Sequence, residues 1–250
     1  MRPALVAVAH GTREPAGREV IANLVDDVRR RLPGVEVITA WVELVEPGLR
    51  EVMSGMQRPA VVVPLLLSTG YHVTVDVPAA AALCPAPVHV AAPLGPDRYL
   101  ARAMTARLRE AGALFGDAVV LAAAGSTYPE GLADAERAAA LLRSEWGPRV
   151  TVAYVSSVEP DVPAAVEQVR QSGADRVCVA PYLLAPGRFS SQVTELATVA
   201  GATVPTVLGG HRLVTDLVVL RYQQGLQALA ATAAGSAVAR PHQDLAAAIS

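Results

Sequence analysis

Lysine is missing altogether. All 21 basic residues of this 250-residue chain are arginine, which, with so much alanine, glycine and proline, reads as the codon bias of a GC-rich genome and not as a functional device. Positive charge is not in excess either. The formal net charge is −2 and the pI is near 6.2, whereas a nucleic-acid binder would show a basic face or stripe. Cysteine is nearly absent. Cys84 and Cys178 stand far apart and form no Cys-x-x-Cys pair, which argues against a disulfide framework, a zinc knuckle or a cysteine-ligated cluster. Both are expected to be small buried residues of a reduced, cytoplasmic protein. Unbroken apolar runs of membrane length are also lacking. The most apolar long window, 77–96, contains Pro78, Pro85, Pro87, Pro93 and Pro96, and so many prolines rule out a regular spanning helix there. The first apolar run covers only about seven residues before His-Gly-Thr-Arg, so the N-terminus does not read as a signal peptide.

What is present is ample core material, with 52% hydrophobic residues, arranged as alternating strands and helices. "ALVAVA" (4–9) is a continuous apolar run suited to a strand buried on both faces. Over 16–32, Val20, Ile21, Leu24, Val25, Val28 and Leu32 recur at helical spacing. "VEVITAWV" (35–42), "AVVVPLLL" (60–67) and "VHVAA" (88–92) are the next strands. Helices are predicted over 47–57, with Pro47 in the first turn, near 76–84, and over 97–112.

Then the pattern begins again. "AVVLAAAGSTYPEG" (118–131) resembles the opening strand and turn, "VTVAYVSSVEP" (150–160) echoes "VEVITAWVELVEP" (35–47), "RVCVAPYLLAPGRF" (176–189) echoes 60–72, and "PTVLGGHRL" (205–213) echoes 90–99. The offset stays between 113 and 117 residues. The predicted fold is α/β: two related domains, each a mainly parallel four-stranded sheet flanked by helices. Residues 1–115 form the first domain, 116–234 the second, and 235–250 a tail.

Right-handed crossovers bring all strand C-termini of such a sheet to one edge, where α/β folds bind ligands. In the first half that edge collects His10 after strand one, Glu43 after strand two and His72 shortly after strand three. Two imidazoles and a carboxylate can hold a divalent first-row metal and leave positions open for exchange. Gly11 and Gly70 would let the backbone turn tightly beside them. The repeat supplies a contrast within one chain: Ala124 stands for His10, Ser156 for Glu43 and Phe189 for His72. A purely structural need for these three residues would have applied to both copies. Of the remaining histidines, His89 lies inside a strand, His211 begins a helix and His242 is in the tail; none is a candidate ligand. Asp76 is read as the cap of the helix that follows it.

"VAHGTR", "ELVEP", "PLLLSTGYHVTVDVP" and "APLGPD" resemble the class II tetrapyrrole chelatases of the sirohydrochlorin type, in the longer cobalt-chelatase form with two fused halves. The resemblance implies two flavodoxin-like domains facing a cleft and metal insertion into sirohydrochlorin on the route to cobalamin or sirohaem, without nucleotide. It assigns the catalytic histidines to His10 and His72, with Glu43 as a further metal ligand. The metal, Co²⁺ before Fe²⁺ or Ni²⁺, enters as substrate, and no tightly bound cofactor is expected. Arg13, Tyr71 and Arg188 are candidates to contact the substrate, whose many carboxylates suit arginine. A monomer or homodimer is expected, with no nucleic-acid or membrane partner. There are two rival readings. A histidine phosphatase needs an arginine just before the histidine, where Ala9 stands. A metal or tetrapyrrole carrier without turnover would use the same donors.

Overall fold

The computed structural model describes residues 2–156 and 158–238. All six residues of strand β1 (Ala4–Ala9) are buried, because β1 is an inner strand covered on both faces. It pairs in parallel with β2 (Val37–Trp41) and β3 (Ala60–Pro64), and β3 with β4 (Val88–Val90), in the order β2-β1-β3-β4. The connections are α1 (Pro15–Arg31), α2 (Leu49–Gly55), one π turn (His72–Asp76) running into α3 (Val77–Ala81), and finally α4 (Arg98–Glu110). The second half repeats this with β5 (Ala118–Ala123), α5 (Pro129–Trp146), β6 (Val150–Tyr154), α6 (Val162–Gln171), β7 (Val177–Pro181), α7 (Arg188–Val199) and α8 (Arg212–Val238). Two parallel sheets flanked by helices result, as the sequence pattern requires.

The second sheet differs from expectation in having three strands, β6-β5-β7. The fourth segment makes only a single bridge, with Thr203 N–H donating to Val177 C=O at 3.1 Å and Val179 N–H donating to Thr203 C=O at 2.8 Å. Two residues later Pro205 offers no N–H to continue the ladder. Helix α2 also starts later than predicted. Pro47, in a cis peptide with Glu46, lies before the helix, and its carbonyl accepts Trp41 N–H at 3.1 Å.

Alternation along the strands sorts side chains into three cores. On one face of the first sheet, Ala4, Val6 and Val8 pack with Met53 of α2 and Val77 of α3. On the corresponding face of the second sheet, Val120 and Ala122 pack with Val166 of α6 and Val193 of α7. The other faces share one core: Leu5, Ala7 and Ala9 join Leu121, Ala123, the α1, α4 and α5 side chains, and Leu217 and Tyr222 of α8. The halves exchange their last helices in building it. Helix α4 lies against α5 and β7, and α8 lies against β3, β4 and α1. Arg221 of α8 fixes this by donating to Pro93 C=O at 3.1 Å and pairing with Asp97 at 2.9 Å. Asp97 also caps α4 through Tyr99 N–H, and His211 accepts from Leu213 N–H ahead of α8, so both of these aligned residues serve helix starts.

The duplication is written in backbone bonds as well as letters. Glu43 N–H donates to His10 C=O at 3.0 Å, and Ser156 N–H to Ala124 C=O at 3.1 Å. Leu65 N–H donates to Val8 C=O at 2.7 Å, and Tyr182 N–H to Ala122 C=O at 2.8 Å. Of the two free thiols, Cys178 is buried as expected, whereas Cys84 is only half-buried and donates to Met56 C=O. Of the tail, residues 235–238 continue α8; 239–250, including His242, lie outside the described residues. Among the described residues no helix is long and apolar enough to cross a membrane.

The seam between halves closes at two equivalent glycines. A Cβ on Gly17 would lie 2.2 Å from Pro186 O, and one on Gly131 would lie 2.7 Å from Thr69 O. Neither neighbour is a flexible side chain end, so Gly17→Ala and Gly131→Ala should each destabilise the protein by about 1–3 kcal/mol. The check is a lowered urea midpoint at unchanged slope.

Candidate metal centre

The strand order places the switch in chain direction between β1 and β3, the crevice where open α/β sheets bind ligands. His10 follows β1 directly. The next residue, Gly11, has φ +114°, and a Cβ there would sit 1.9 Å from Glu43 O. Only glycine lets the turn after β1 approach the turn after β2 this closely. Glu43 is held by its N–H bond to His10 C=O, and Val45 N–H donates back to Glu43 C=O at 2.8 Å, a γ-turn centred on Leu44. Leu44 accordingly adopts φ 65°, a conformation that costs a non-glycine residue roughly 1–2 kcal/mol.

His72 opens the π turn, a rare geometry that is frequent at functional sites. The turn hangs from Gly70, whose carbonyl accepts Val73 N–H and Thr74 N–H, each at 3.0 Å. Gly70 itself has open space where a Cβ would be and no positive φ, so the tight-turn role expected of it belongs to Gly11 alone. Asp76 does not cap α3. The π turn runs straight into that helix, so no true N-terminus exists at residue 76, and the Asp76 carboxylate meets His72 Nδ1 at 2.6 Å instead. An ionised carboxylate only accepts. His72 therefore donates from Nδ1, and its Nε2 lone pair is left for a metal.

One ligand atom from each of His10, Glu43 and His72 can be chosen so that all lie within 4.8 Å of one another. Among the described residues, this is the one such group. The imidazole centroids are 4.7 Å apart and nearly perpendicular, and His10 Nδ1 is 3.4 Å from Glu43 Oε1. Loss of hydration and the adjacent His72 ring lower the His10 pKa below the ordinary 6.5, against opposing pulls from Glu43 and the Gly11 backbone. His10 is thus a neutral donor at neutral pH. The His10 and Glu43 side chains remain about half exposed, 50% and 47%, so a large substrate could reach a bound ion. Behind the donors a cavity of about 130 Å³ is lined by Glu43, His72, Asp76 and Arg50 among others.

Of the predicted substrate residues, Tyr71 is half exposed with its ring 6.4 Å from that of His72. Arg13 lies exposed in the turn after β1, which Arg18 braces by donating to Thr12 and Arg13 carbonyls. Arg188 is the exposed first residue of α7. The turn that carries Arg13 adjoins the start of α7, since a Cβ on Gly187 would be 3.3 Å from Thr12 Oγ1. At the equivalent edge of the second half stand Ala124, Ser156, whose hydroxyl donates to Ala124 C=O at 2.9 Å, and a partly exposed Phe189. Sequence reasoning assigned Asp76 the wrong task, although its i,i+4 spacing from His72 was a usable signal. Nothing in the sequence singled out Leu44 or Arg50.

A family model described as CbiX matches residues 4–111 and, a second time, 118–225. The chain belongs to the CbiX family. Among its relatives, the sirohydrochlorin cobaltochelatase of Methanosarcina acetivorans is 29% identical over 123 residues, covering 43% of this chain and 95% of that protein. The sirohydrochlorin ferrochelatase of Bacillus subtilis is 25% identical over 206 residues, covering 77% of this chain and 78% of that one. The solved structure of SirB from Bacillus subtilis with Fe³⁺ superposes with a TM-score of 0.75 at 23% identity, over 94% of this chain and 98% of its own. That likeness speaks to the fold. In this CbiX-family member the short archaeal relative corresponds in length to one half, consistent with the duplication.

Because Asp76 fixes the tautomer and orientation of His72, Asp76→Ala should weaken Co²⁺ binding about 10–100-fold. Calorimetric titration against wild type checks this, with thermal melting to show that the fold persists.

Proposed function

We propose that this protein is a metal chelatase that inserts a divalent metal into sirohydrochlorin without nucleotide hydrolysis. The observation that carries the reading is the His10–Glu43–His72 group, whose donors lie within 4.8 Å at an open sheet edge and occur in one copy of a duplicated scaffold. The family and the named activities of the relatives support it. The named relatives do not single out a metal, since the one of half length is a cobaltochelatase and the one of two-half length a ferrochelatase, and mixed N/O ligation suits Co²⁺, Fe²⁺ and Ni²⁺ alike. The metal is substrate. No tightly bound cofactor enters the scheme.

In the reaction the ring loses two pyrrole N–H protons and gains M²⁺. His10 and His72 hold the metal, with Glu43 completing the set, and the open positions face the incoming ring. As the ion passes to the ring nitrogens, a released imidazole accepts one pyrrole proton, which a group neutral at neutral pH can do, and the other passes to the solvent to which the site is open. Glu43, beside His10 Nδ1, stabilises the imidazolium so formed. Modest metal affinity is required, since a closed four-ligand site would retain its ion. Exposed apolar side chains around the donors, Leu44, Tyr71 and Val75, suit the face of a flat macrocycle. Arg13 and Arg188 are assigned to its carboxylates, bidentately, and neither has an ion-pair partner among the described residues. We place the reaction in the cytoplasm, which the two free thiols support, and assign a monomer or homodimer.

An anaerobic assay with sirohydrochlorin and Co²⁺, Fe²⁺ or Ni²⁺, followed by visible absorbance, should show multiple turnovers; a single stoichiometric event would indicate a carrier. His10→Ala and His72→Ala should each cut the rate about 100-fold or more in a folded protein, and normal activity in both would remove the mechanism. Phe189→Ala should raise KM for the macrocycle and leave Co²⁺ affinity unchanged.

A further inference from the structure

The half without metal donors touches the loop that delivers His72 at two buried points. Tyr182, just past β7, donates its hydroxyl proton to Leu67 C=O at 2.9 Å. Asp134 of α5 accepts Thr69 N–H at 2.6 Å. The two side chains are 3% and 2% exposed. Thr69 is followed by Gly70, from whose carbonyl the π turn of His72 hangs. A short, hydrogen-bonded path therefore runs from the second half to the metal-binding imidazole.

The pseudo-symmetric seam lacks both grips. Gly17 meets Pro186 there as Gly131 meets Thr69 here, which makes Pro186 the counterpart of Thr69 and Val20 the counterpart of Asp134. Pro186 has no N–H to satisfy, and Val20 has no acceptor to offer. Leu65 stands where Tyr182 stands, as their matching backbone bonds to Val8 and Ala122 show, and it has no hydroxyl. That seam closes without either grip, with Val20 beside Gly209 and a long Arg107 bond to Gly209 C=O at 3.5 Å. A buried carboxylate is costly unless hydrogen-bonded, and the other seam demonstrates that closure does not need one. The carboxylate occurs only beside the loop that carries a ligand. Its proton affinity fits a permanent acceptor. Burial pushes the Asp134 pKa up, but the bonds from Thr69 and Arg137 outweigh this and hold it below the usual carboxylate range.

We infer that the donor-less half is a clamp on the His72 loop, with Asp134 and Tyr182 as its positioning residues. The inference rests on the proposed function, and it explains why a copy without donors accompanies the site. Neither residue touches metal or macrocycle. They fix where His72 stands, and a displacement of about 1 Å at such a group is worth up to about 100-fold in rate.

The test compares Asp134→Val, Asp134→Asn, Tyr182→Phe and the control Val166→Ala, a core change on the far face of the second sheet. Each is measured for thermal midpoint, Co²⁺ affinity, the visible spectrum of the Co²⁺-loaded protein, and turnover. Asp134→Val and Tyr182→Phe should weaken Co²⁺ binding about tenfold or more and alter the spectrum. Asp134→Asn, whose Oδ1 still accepts from Thr69, should recover most of the affinity. Val166→Ala should lower the midpoint and leave affinity and spectrum as in wild type. The clamp is overturned if Asp134→Val and Tyr182→Phe bind Co²⁺ as wild type does, if their losses match those of Val166→Ala, or if Asp134→Asn is as impaired as Asp134→Val. Should Asp134→Val not fold, Tyr182→Phe decides alone by the same affinity and spectrum. Wild type that binds Co²⁺ but performs no repeated insertion defeats the proposed function instead, because the clamp is read from metal binding without macrocycle.

Discussion

Everything at the candidate metal centre depends on how closely the turn after β1 approaches the turn after β2. Glu43 N–H reaches His10 C=O at 3.0 Å, and the Glu43 carbonyl lies where any Cβ on residue 11 would be. That contact joins the two turns that carry His10 and Glu43 and forces a glycine at 11, while the left-handed Leu44 goes with the γ-turn closed by Val45 N–H on Glu43 C=O. The same contact recurs at Gly125 and Ser156, where a Cβ on the glycine would again fall 1.9 Å from a carbonyl oxygen. The approach is therefore a property of the scaffold. The chemistry was placed on it by choosing His10 and Glu43 in one copy and Ala124 and Ser156 in the other.

The third donor is fixed differently. His72 comes from a loop and a π turn, which lack the ladder bonds that hold a strand end. Its order has to be supplied by neighbours: Asp76 along the turn, Gly70 as the anchor of the turn, and the second half pressing on Leu67 and Thr69. This division is physically sensible for the proposed grip and release of an ion. Two donors sit on stiff strand ends, and one sits on a segment whose position can be tuned. It also shows why the halves are not independent beads. One shared core and the exchange of α4 and α8 lock the seam, so the loop of one half can be held by side chains of the other.

Much of this was legible in the letters. Strands that are buried on both faces read as continuous apolar runs, so β1, β3, β5 and β7 stood out, and the repeat offset supplied the rest of the architecture. The donors were legible because histidine is scarce, with five in the chain, and two of them fall just past apolar runs. Errors came where a residue's task depends on a partner distant in sequence or on a turn type without a composition signal. Pro47 looked like a helix start, yet its carbonyl serves Trp41 across the sheet edge. Asp76 looked like a cap because the π turn before it leaves no mark in periodicity. The fourth strand of the second half looked equal to β4, but the position of Pro205 within the ladder matters only once the partner strand is known.

The sequence by itself determined the duplicated α/β plan and the gathering of His10, Glu43 and His72 at one sheet edge, because strand periodicity and chain order fix which residues end strands on one side. Only the tertiary structure decided that the inner faces of the two sheets share a single core, that Asp76 turns toward His72, and that Asp134 and Tyr182 reach across the seam. Those outcomes depend on which surfaces meet at atomic distance, and residues 65 or 115 positions apart, as Thr69 and Asp134 or Leu67 and Tyr182 are, carry no local pattern that announces their contact.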